Sequence, residues 1–260
     1  MIIDHHVHLG FDLKTGFSLT AKDLLKKMDE YGIDRSIVFA CPNLSLRKRN
    51  PYLQANAKIL KVSKNSSRLI PFMFVHPFLD DVEKIKKLHG PFAGFKIYSS
   101  AQGMEYSYGD LTSSEQMKTI LKTEKPILFH IGKYAGERPS DLIEIASQTS
   151  FPIILAHCGR LFGKDLKEIS KLKNVYLDVT PLQTSLEHSF FLKDQKEIPK
   201  KIRDMDMEKI LIYIEGLFGK ERILWGTDTP WCDVLGSKGY GGEVEALKKL
   251  QSRGIKNSLF

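Results

Sequence analysis

The chain has 260 residues, 42% of them hydrophobic and 27% charged, with a formal net charge of +8. No apolar stretch approaches the roughly 20 residues that span a bilayer, and Asp4 interrupts the N-terminal apolar run too early for a signal peptide. Cys41, Cys158 and Cys232 are too few, and odd in number, for a disulfide framework, so they read as reduced thiols in a cytoplasmic protein.

The first apolar run, MIIDHHVHL, is a β-strand candidate. DRSIVFA, RLIPFMFVH, FAGFKIY, KPILFHIG, PIILAHCG, NVYLDVT and RILWGTD follow it as seven more. Amphipathic helical patterns lie between them. LTAKDLLKKMDEYG closes on Gly32, a good C-cap. NPYLQANAKILKVSKNSS, DDVEKIKKLHG, SSEQMKTILKTEK, PSDLIEIASQTS and KDLKEISKLK come next; EKILIYIEGLFG precedes the eighth strand and GGEVEALKKLQSRG follows it. Their lysines are mixed with acids, as on solvated helix faces, so neither nucleic acid nor a membrane is an expected partner.

A β-then-α unit every ~25–35 residues argues for parallel strands with helical crossovers. The strands are continuous apolar runs, as burial of both faces requires. Eight such units predict an α/β fold, a (β/α)8 TIM barrel, as one domain over residues 1–260. An open doubly wound sheet fits less well, because no glycine-rich phosphate loop follows the first strand. The seventh connection, PLQTSLEHSFFLKDQKEIPKKIRDMD, is long and is expected to cover the barrel mouth.

Barrel enzymes act at the C-terminal ends of their strands. His6 and His8 end strand one, His130 strand five, His157 strand six and Asp228 strand eight, while Lys96 lies in strand four. Alternate residues of a strand share a face, so His6 and His8 point one way and His5 with Val7 the other. Three imidazoles from His6, His8 and His130, with the Asp228 carboxylate, make a plausible Zn²⁺ site; another divalent transition metal is the alternative. A single strand-end histidine is more often a hydrogen-bonded structural residue, and His-x-His arises by chance. Four histidines and an aspartate at predicted strand ends outweigh that reading. Gly132 and Gly159, just beyond His130 and His157, suit a sharp turn or close backbone approach.

With DHHVH, GFKIY, ILFHIG, PSDLIEIASQTSFPIILAHCGR, NVYLDVT, RILWGTDTPW and the tail GIKNSLF in view, the chain resembles the amidohydrolase superfamily over nearly its whole length. It is most similar to the amidohydrolase-2 branch, which holds metal-dependent hydrolases and aminocarboxymuconate-semialdehyde-decarboxylase-like decarboxylases. The resemblance implies His6, His8, His130 and Asp228 as metal ligands. It implies Asp228 as a proton shuttle and His157 as acid/base, substrate polariser or ligand to a second metal. Lys96 sits where binuclear members carry a carboxylated lysine; in a mononuclear site it would only orient groups by charge. TatD-like nucleases are a neighbour, but GFKIY and WGTDTPW depart from their strand-four and strand-eight motifs. The residues do not fix the oligomer, and homodimers are common in the family.

The expected activity is metal-dependent hydrolysis of a small, anionic ester, lactone or amide. Non-oxidative decarboxylation at the same site is the alternative, and a non-enzymatic barrel is the remote one. Lys96, Tyr98, Arg160 and Trp231 are the candidate substrate contacts, with Arg138, His76, Tyr106 and Tyr108 behind them; a guanidinium would hold a carboxylate in a bidentate pair.

Overall fold

Each of the eight predicted apolar runs forms a strand, and its burial explains its composition. The computed structural model describes residues 1–12, 16–42, 49–99, 106–132, 136–161, 163–188 and 205–259. Within them the strands are β1 (Ile3–Phe11), β2 (Ser18–Leu19), β3 (Arg35–Ala40), β4 (Leu69–Phe74), β5 (Gly94–Ile97), β6 (Ile127–Phe129), β7 (Ile153–Leu155), β8 (Val175–Asp178) and β9 (Ile223–Leu224). Their order is β2-β1-β3-β4-β5-β6-β7-β8-β9, and every pair is parallel except β1–β2. Strand β2 is the one that sequence pattern did not anticipate. It is two residues long and folds back on the end of β1, pairing Leu19 with Gly10.

The sheet closes on itself. His5 N donates to Trp225 O (3.1 Å), Asp228 N to His6 O (2.9 Å) and His8 N to Thr229 O (2.9 Å). These bonds join the chain's first strand to the segment after β9 and make a distorted α/β barrel. Phe72, Phe95, Phe129, Leu155 and Leu177 are completely buried. Each such side chain contributes about 1.5–3 kcal/mol relative to exposure.

Helices form where the sequence places apolar residues one turn apart. In Ala21–Tyr31 the buried residues Leu24 and Met28 are spaced i, i+4, Thr20 caps the start by accepting Asp23 N, and Gly32 ends it at φ 69°. The PSDLIEIASQTS pattern yields less helix than expected. Pro139–Leu142 is a 3₁₀ turn, and the α-helix spans only Ile143–Ser147. The seventh connection begins as a helix, Leu182–His188; residues 189–204 lie outside the described residues, and with them the expected cover of the mouth. A carboxylate from another element caps that helix: Glu243 accepts from Gln183 N, Thr184 N and Thr184 Oγ1 at 2.8–3.1 Å. No helix among the described residues is long and apolar enough to cross a membrane.

Asn257 holds the seam from the tail. Its Oδ1 accepts Trp225 N at 2.6 Å and its Nδ2 donates to Ile3 O at 2.7 Å, so one buried amide links β1 to β9. Asn257→Ala removes a partner from each of these backbone groups, so a loss of about 2–4 kcal/mol is expected. Urea unfolding checks it: the midpoint falls while the m-value stays constant.

The turn after β4 carries a buried acid. Asp80 Oδ2 accepts His76 N at 2.9 Å, and His76 Nδ1 accepts the amides of Phe78 and Leu79, so His76 serves the turn. Burial pushes the Asp80 carboxyl up to about 7, from 3.8. An acid raised in the folded state costs stability as pH rises from its unfolded value through its folded one. Asp80→Asn is therefore expected to remove about 2–3 kcal/mol of stability loss between about pH 5 and about pH 8, read as the difference from wild type in urea midpoints at the two pH values.

Candidate metal centre

The histidines of β1 reach the barrel interior because the strand is irregular. Between Asp4 and Val7, β1 spends one residue more than β3, a β-bulge. Plain alternation puts Asp4 on the face of His6 and His8. The bulge separates it from them: Asp4 accepts from Thr227 N (2.9 Å), Thr227 Oγ1 (2.8 Å) and Tyr240 OH (3.1 Å). His5 also turns away, with Nδ1 3.1 Å from Trp225 O.

His6 Nδ1 lies 2.6 Å from Asp178 Oδ2, and His8 Nδ1 lies 3.3 Å from Ala40 O. Both oxygens accept, so each ring carries its proton on Nδ1 and keeps a lone pair on Nε2. Those two lone pairs converge on one carboxylate oxygen: Asp228 Oδ1 is 3.4 Å from His6 Nε2 and 3.3 Å from His8 Nε2. Asp228 Oδ1 is buried and accepts no hydrogen bond among the described residues. His6, His8 and Asp228 are the group among the described residues whose ligand atoms all lie within 4.8 Å of one another. Three electron-pair donors facing one point, one of them an orphaned carboxylate oxygen, suit a divalent cation with open coordination positions. Asp178 behind His6 supplies the outer carboxylate that orients a ligating imidazole. Burial, and next to it Lys96, holds His6 well below the usual imidazole range, which favours the neutral ring whose Nε2 carries a lone pair.

The other predicted residues divide by place. Lys96 is fully buried, with Nζ 3.3 Å from His6 Nε2; burial lowers its ammonium to about 7, against the pull of Asp228 and Asp178. His157 stands beside Asp228, with Nδ1 3.9 Å from its Oδ2, and its ring centroid is 5.2 Å from that of His6. The structure brings His130 to His157 (Nδ1 to Nε2, 2.8 Å) and leaves it outside the three-donor group. Tyr98 stacks on His130 with centroids 3.7 Å apart. Arg160 Nε donates to Ile131 O at 2.9 Å; burial lowers its guanidinium to about 10, with Tyr98 and Asp228 opposing, so it remains cationic at neutral pH. Trp231 is half-buried at the start of the helix Trp231–Leu235, and its backbone N donates to Asp228 O. Arg138 is engaged elsewhere, donating from Nε to Asp165 Oδ2 at 2.7 Å.

His157 and Arg160 share an unusual backbone. His157, Cys158, Gly159, Arg160 and Leu161 all have φ between 52° and 59°, a left-handed turn in which four residues carry a Cβ. The left-handed region costs roughly 1–2 kcal/mol per such residue, and three residues per turn place i and i+3 on one side. The bond of 2.8 Å between His157 Nδ1 and Thr180 O ties the turn to the end of β8.

Sequence pattern gave no role to Asp178 or Glu137. Asp178 carried a signal, a carboxylate ending the apolar run NVYLD at the level of the other strand-end residues. Glu137 carried none. It is fully buried against Ser99 Oγ (2.5 Å) and is accommodated by Gly132, where a Cβ would stand 1.7 Å from its Oε2. A side chain at Gly132 would therefore meet the Glu137 carboxylate.

Asp178→Asn keeps the size and weakens the acceptor behind His6. Zinc affinity, measured by competition with a chelator, is expected to fall about 10–100-fold with the fold unchanged by circular dichroism.

The amidohydrolase family model of the second type matches residues 3–253. A search of curated proteins finds no match. Among solved structures, an amidohydrolase from Burkholderia multivorans with bound zinc aligns at a TM-score of 0.68 and 13% identity, covering 100% of this chain and 94% of that one. A putative 2-pyrone-4,6-dicarboxylic acid hydrolase from Pseudomonas putida aligns at 0.65 and 15% identity, covering 96% and 90%. A 5-carboxyvanillate decarboxylase from Sphingomonas paucimobilis aligns at 0.63 and 11% identity, covering 99% of each. At these identities the likeness is one of fold. The family model spans the barrel and every residue of the centre, and the chain belongs to the amidohydrolase family.

Proposed function

We propose that this protein is a metal-dependent hydrolase of a small anionic ester, lactone or amide. One observation carries the reading: the Nε2 atoms of His6 and His8 and the orphaned Asp228 Oδ1 face one point beside the buried Lys96, with the half-buried cation Arg160 in electrostatic reach of Asp228. His6, His8 and Asp228 would hold the cation, and zinc in a solved structure of the same fold favours that metal. When bound, a divalent cation supplies Lewis acidity, bringing the pKa of water toward about 7 and polarising a carbonyl.

The chain's own groups do the rest. Asp228 takes the proton of the attacking water as its oxygen bonds to the carbonyl carbon. On collapse the carbon–leaving-group bond breaks, and the proton passes from Asp228 to the departing oxygen or nitrogen. Arg160 pairs with an anionic group of the substrate through a fork geometry that favours carboxylates. Tyr98, stacked on His130, offers a flat wall. The buried strand ends exclude bulk water, which strengthens each of these interactions.

Decarboxylation at the same centre is the second reading, favoured by the full-length fold match to a decarboxylase. Arg160 would then orient the departing carboxylate, and a proton would be delivered to the carbon that loses CO₂.

The test is a panel of lactones, esters, amides and aromatic carboxylates, run with zinc-loaded protein in ¹⁸O-water. Label incorporated into a product acid supports hydrolysis, while CO₂ release without label supports decarboxylation. Asp228→Asn is expected to lower kcat about 10²–10⁴-fold, the usual worth of a positioned base. An Asp228→Asn protein of wild-type activity, or a wild type inert with every class, would overturn the reading.

A further inference from the structure

A second concavity lies on the reverse side of the strand pair that carries His8. The rings of Phe39 and His8 meet edge to face with centroids 4.6 Å apart, so Phe39 shares the inner face with His8. Leu9 and Ala40, which pair with each other one residue further on, face the other way. There they line a cavity of about 540 Å³. Leu19 of β2 lines it on one side, and Tyr52 with Ala55 and Ile59 of the helix Leu53–Lys64 on the other. Small-molecule sites occupy about 300–1,000 Å³, and this volume falls among them.

The space is built into the fold. The ladder between β3 and β4 has its last pair at Val38 and Pro71. Further along β4, the backbone of Phe74 bonds to a buried side chain instead. Phe74 N donates to Asn56 Oδ1 at 2.9 Å, and Asn56 Nδ2 donates to Phe74 O at 2.8 Å. Tyr52 lies against the ring of Phe74, with centroids 4.1 Å apart. The helix is thereby anchored on β4, and the cavity is the space left beside it over the ends of β1 and β3. Because Asn56 satisfies both backbone groups of Phe74, that end of β4 needs no partner strand, and the opening leaves no buried amide there unpaired.

The lining selects a ligand. Its buried part is apolar: Leu9, Leu19, Ala40 and Ile59. Thr20, Gln54 and Lys58 are exposed and polar and mark the open side, where Phe11 also leaves 55% of its surface uncovered. Lys58 is the one charged residue among the described residues of the lining, and no acid opposes it. An apolar body with a single anionic end matches that distribution. We infer that this cavity binds an amphiphilic carboxylate, its apolar part between Leu9, Ala40 and Ile59 and its carboxylate at Lys58. The inference stands apart from the reaction proposed for the metal centre, whose donors lie on the other face of β1.

The test is calorimetric titration of the full chain with decanoate and with 1-decanol, with and without zinc, joined to nuclear Overhauser spectra of methyl-labelled protein. One decanoate per chain is expected, with a negative heat-capacity change and no dependence on zinc. Its chain is expected to show Overhauser contacts to the methyls of Leu9, Ala40 and Ile59. Lys58→Gln is expected to weaken decanoate about two- to fivefold, the worth of an exposed ion pair, and to leave decanol unchanged. Ala55→Trp, which puts an indole into the space, is expected to abolish both with an unchanged circular dichroism spectrum. No binding up to about 1 mM decanoate, binding only with zinc, or contacts to Ile131 beside the centre instead would overturn the inference. So would several decanoates per chain that Ala55→Trp leaves bound. A dimer in sedimentation that Ala55→Trp dissociates, with no decanoate taken up, would overturn it too and give the cavity to a second copy of this chain. The wild-type Overhauser pattern decides even where Ala55→Trp does not fold.

Discussion

The centre depends on the closure of the barrel. His6 and Asp228 lie at opposite ends of the chain and meet because Asp228 N bonds to His6 O at 2.9 Å, one of three backbone bonds across the seam. The same seam is secured from behind by Asp4, which takes two bonds from Thr227, and by the Asn257 amide. At Gly226 a Cβ would sit 2.8 Å from both the backbone N and the Cβ of His6, so only glycine lets β1 and the end of β9 approach this closely. Ligand geometry and barrel closure are therefore one constraint. A side chain added at the seam would move donors that must converge within a few ångströms.

Burial sets the charge state of what gathers there. Fully buried imidazoles are held neutral, and neutral imidazole is the form that donates a lone pair. Lys96 sits between the opposing effects of burial and two nearby carboxylates. Arg160 keeps its charge, because a guanidinium lowered to about 10 is still protonated at neutral pH. The centre thus gathers electron-pair donors, with a permanent cation in electrostatic reach of Asp228. That arrangement suits a divalent metal ion.

The strained turn at 157–161 belongs to the same logic. Four residues with a Cβ hold left-handed backbone in succession, at a cost that packing and the Thr180 bond must offset. In return, His157 reaches His130 and Arg160 reaches the carbonyl of Ile131 from one short segment. Neither residue would be so placed by a right-handed helix starting at the end of β7.

Much of this was legible in the sequence because period and punctuation are local. Continuous apolar runs at a regular spacing determined eight parallel strands, and polar residues at their ends determined which side chains compete for the mouth. His6, His8 and Asp228 could be named that way. Sequence alone could not show that a bulge removes Asp4 from their face, since alternation is broken by one unpaired residue that only the partner strand reveals. It could not show that His130 lies against His157, because His157 is held by Thr180 O, beyond the end of β8 and far along the chain. Nor could it find Glu137, whose burial needs the space beside Gly132. Strand identity is written in neighbouring residues. Which lone pair faces which proton is settled by groups far apart in the chain, and only the closed barrel brings those together.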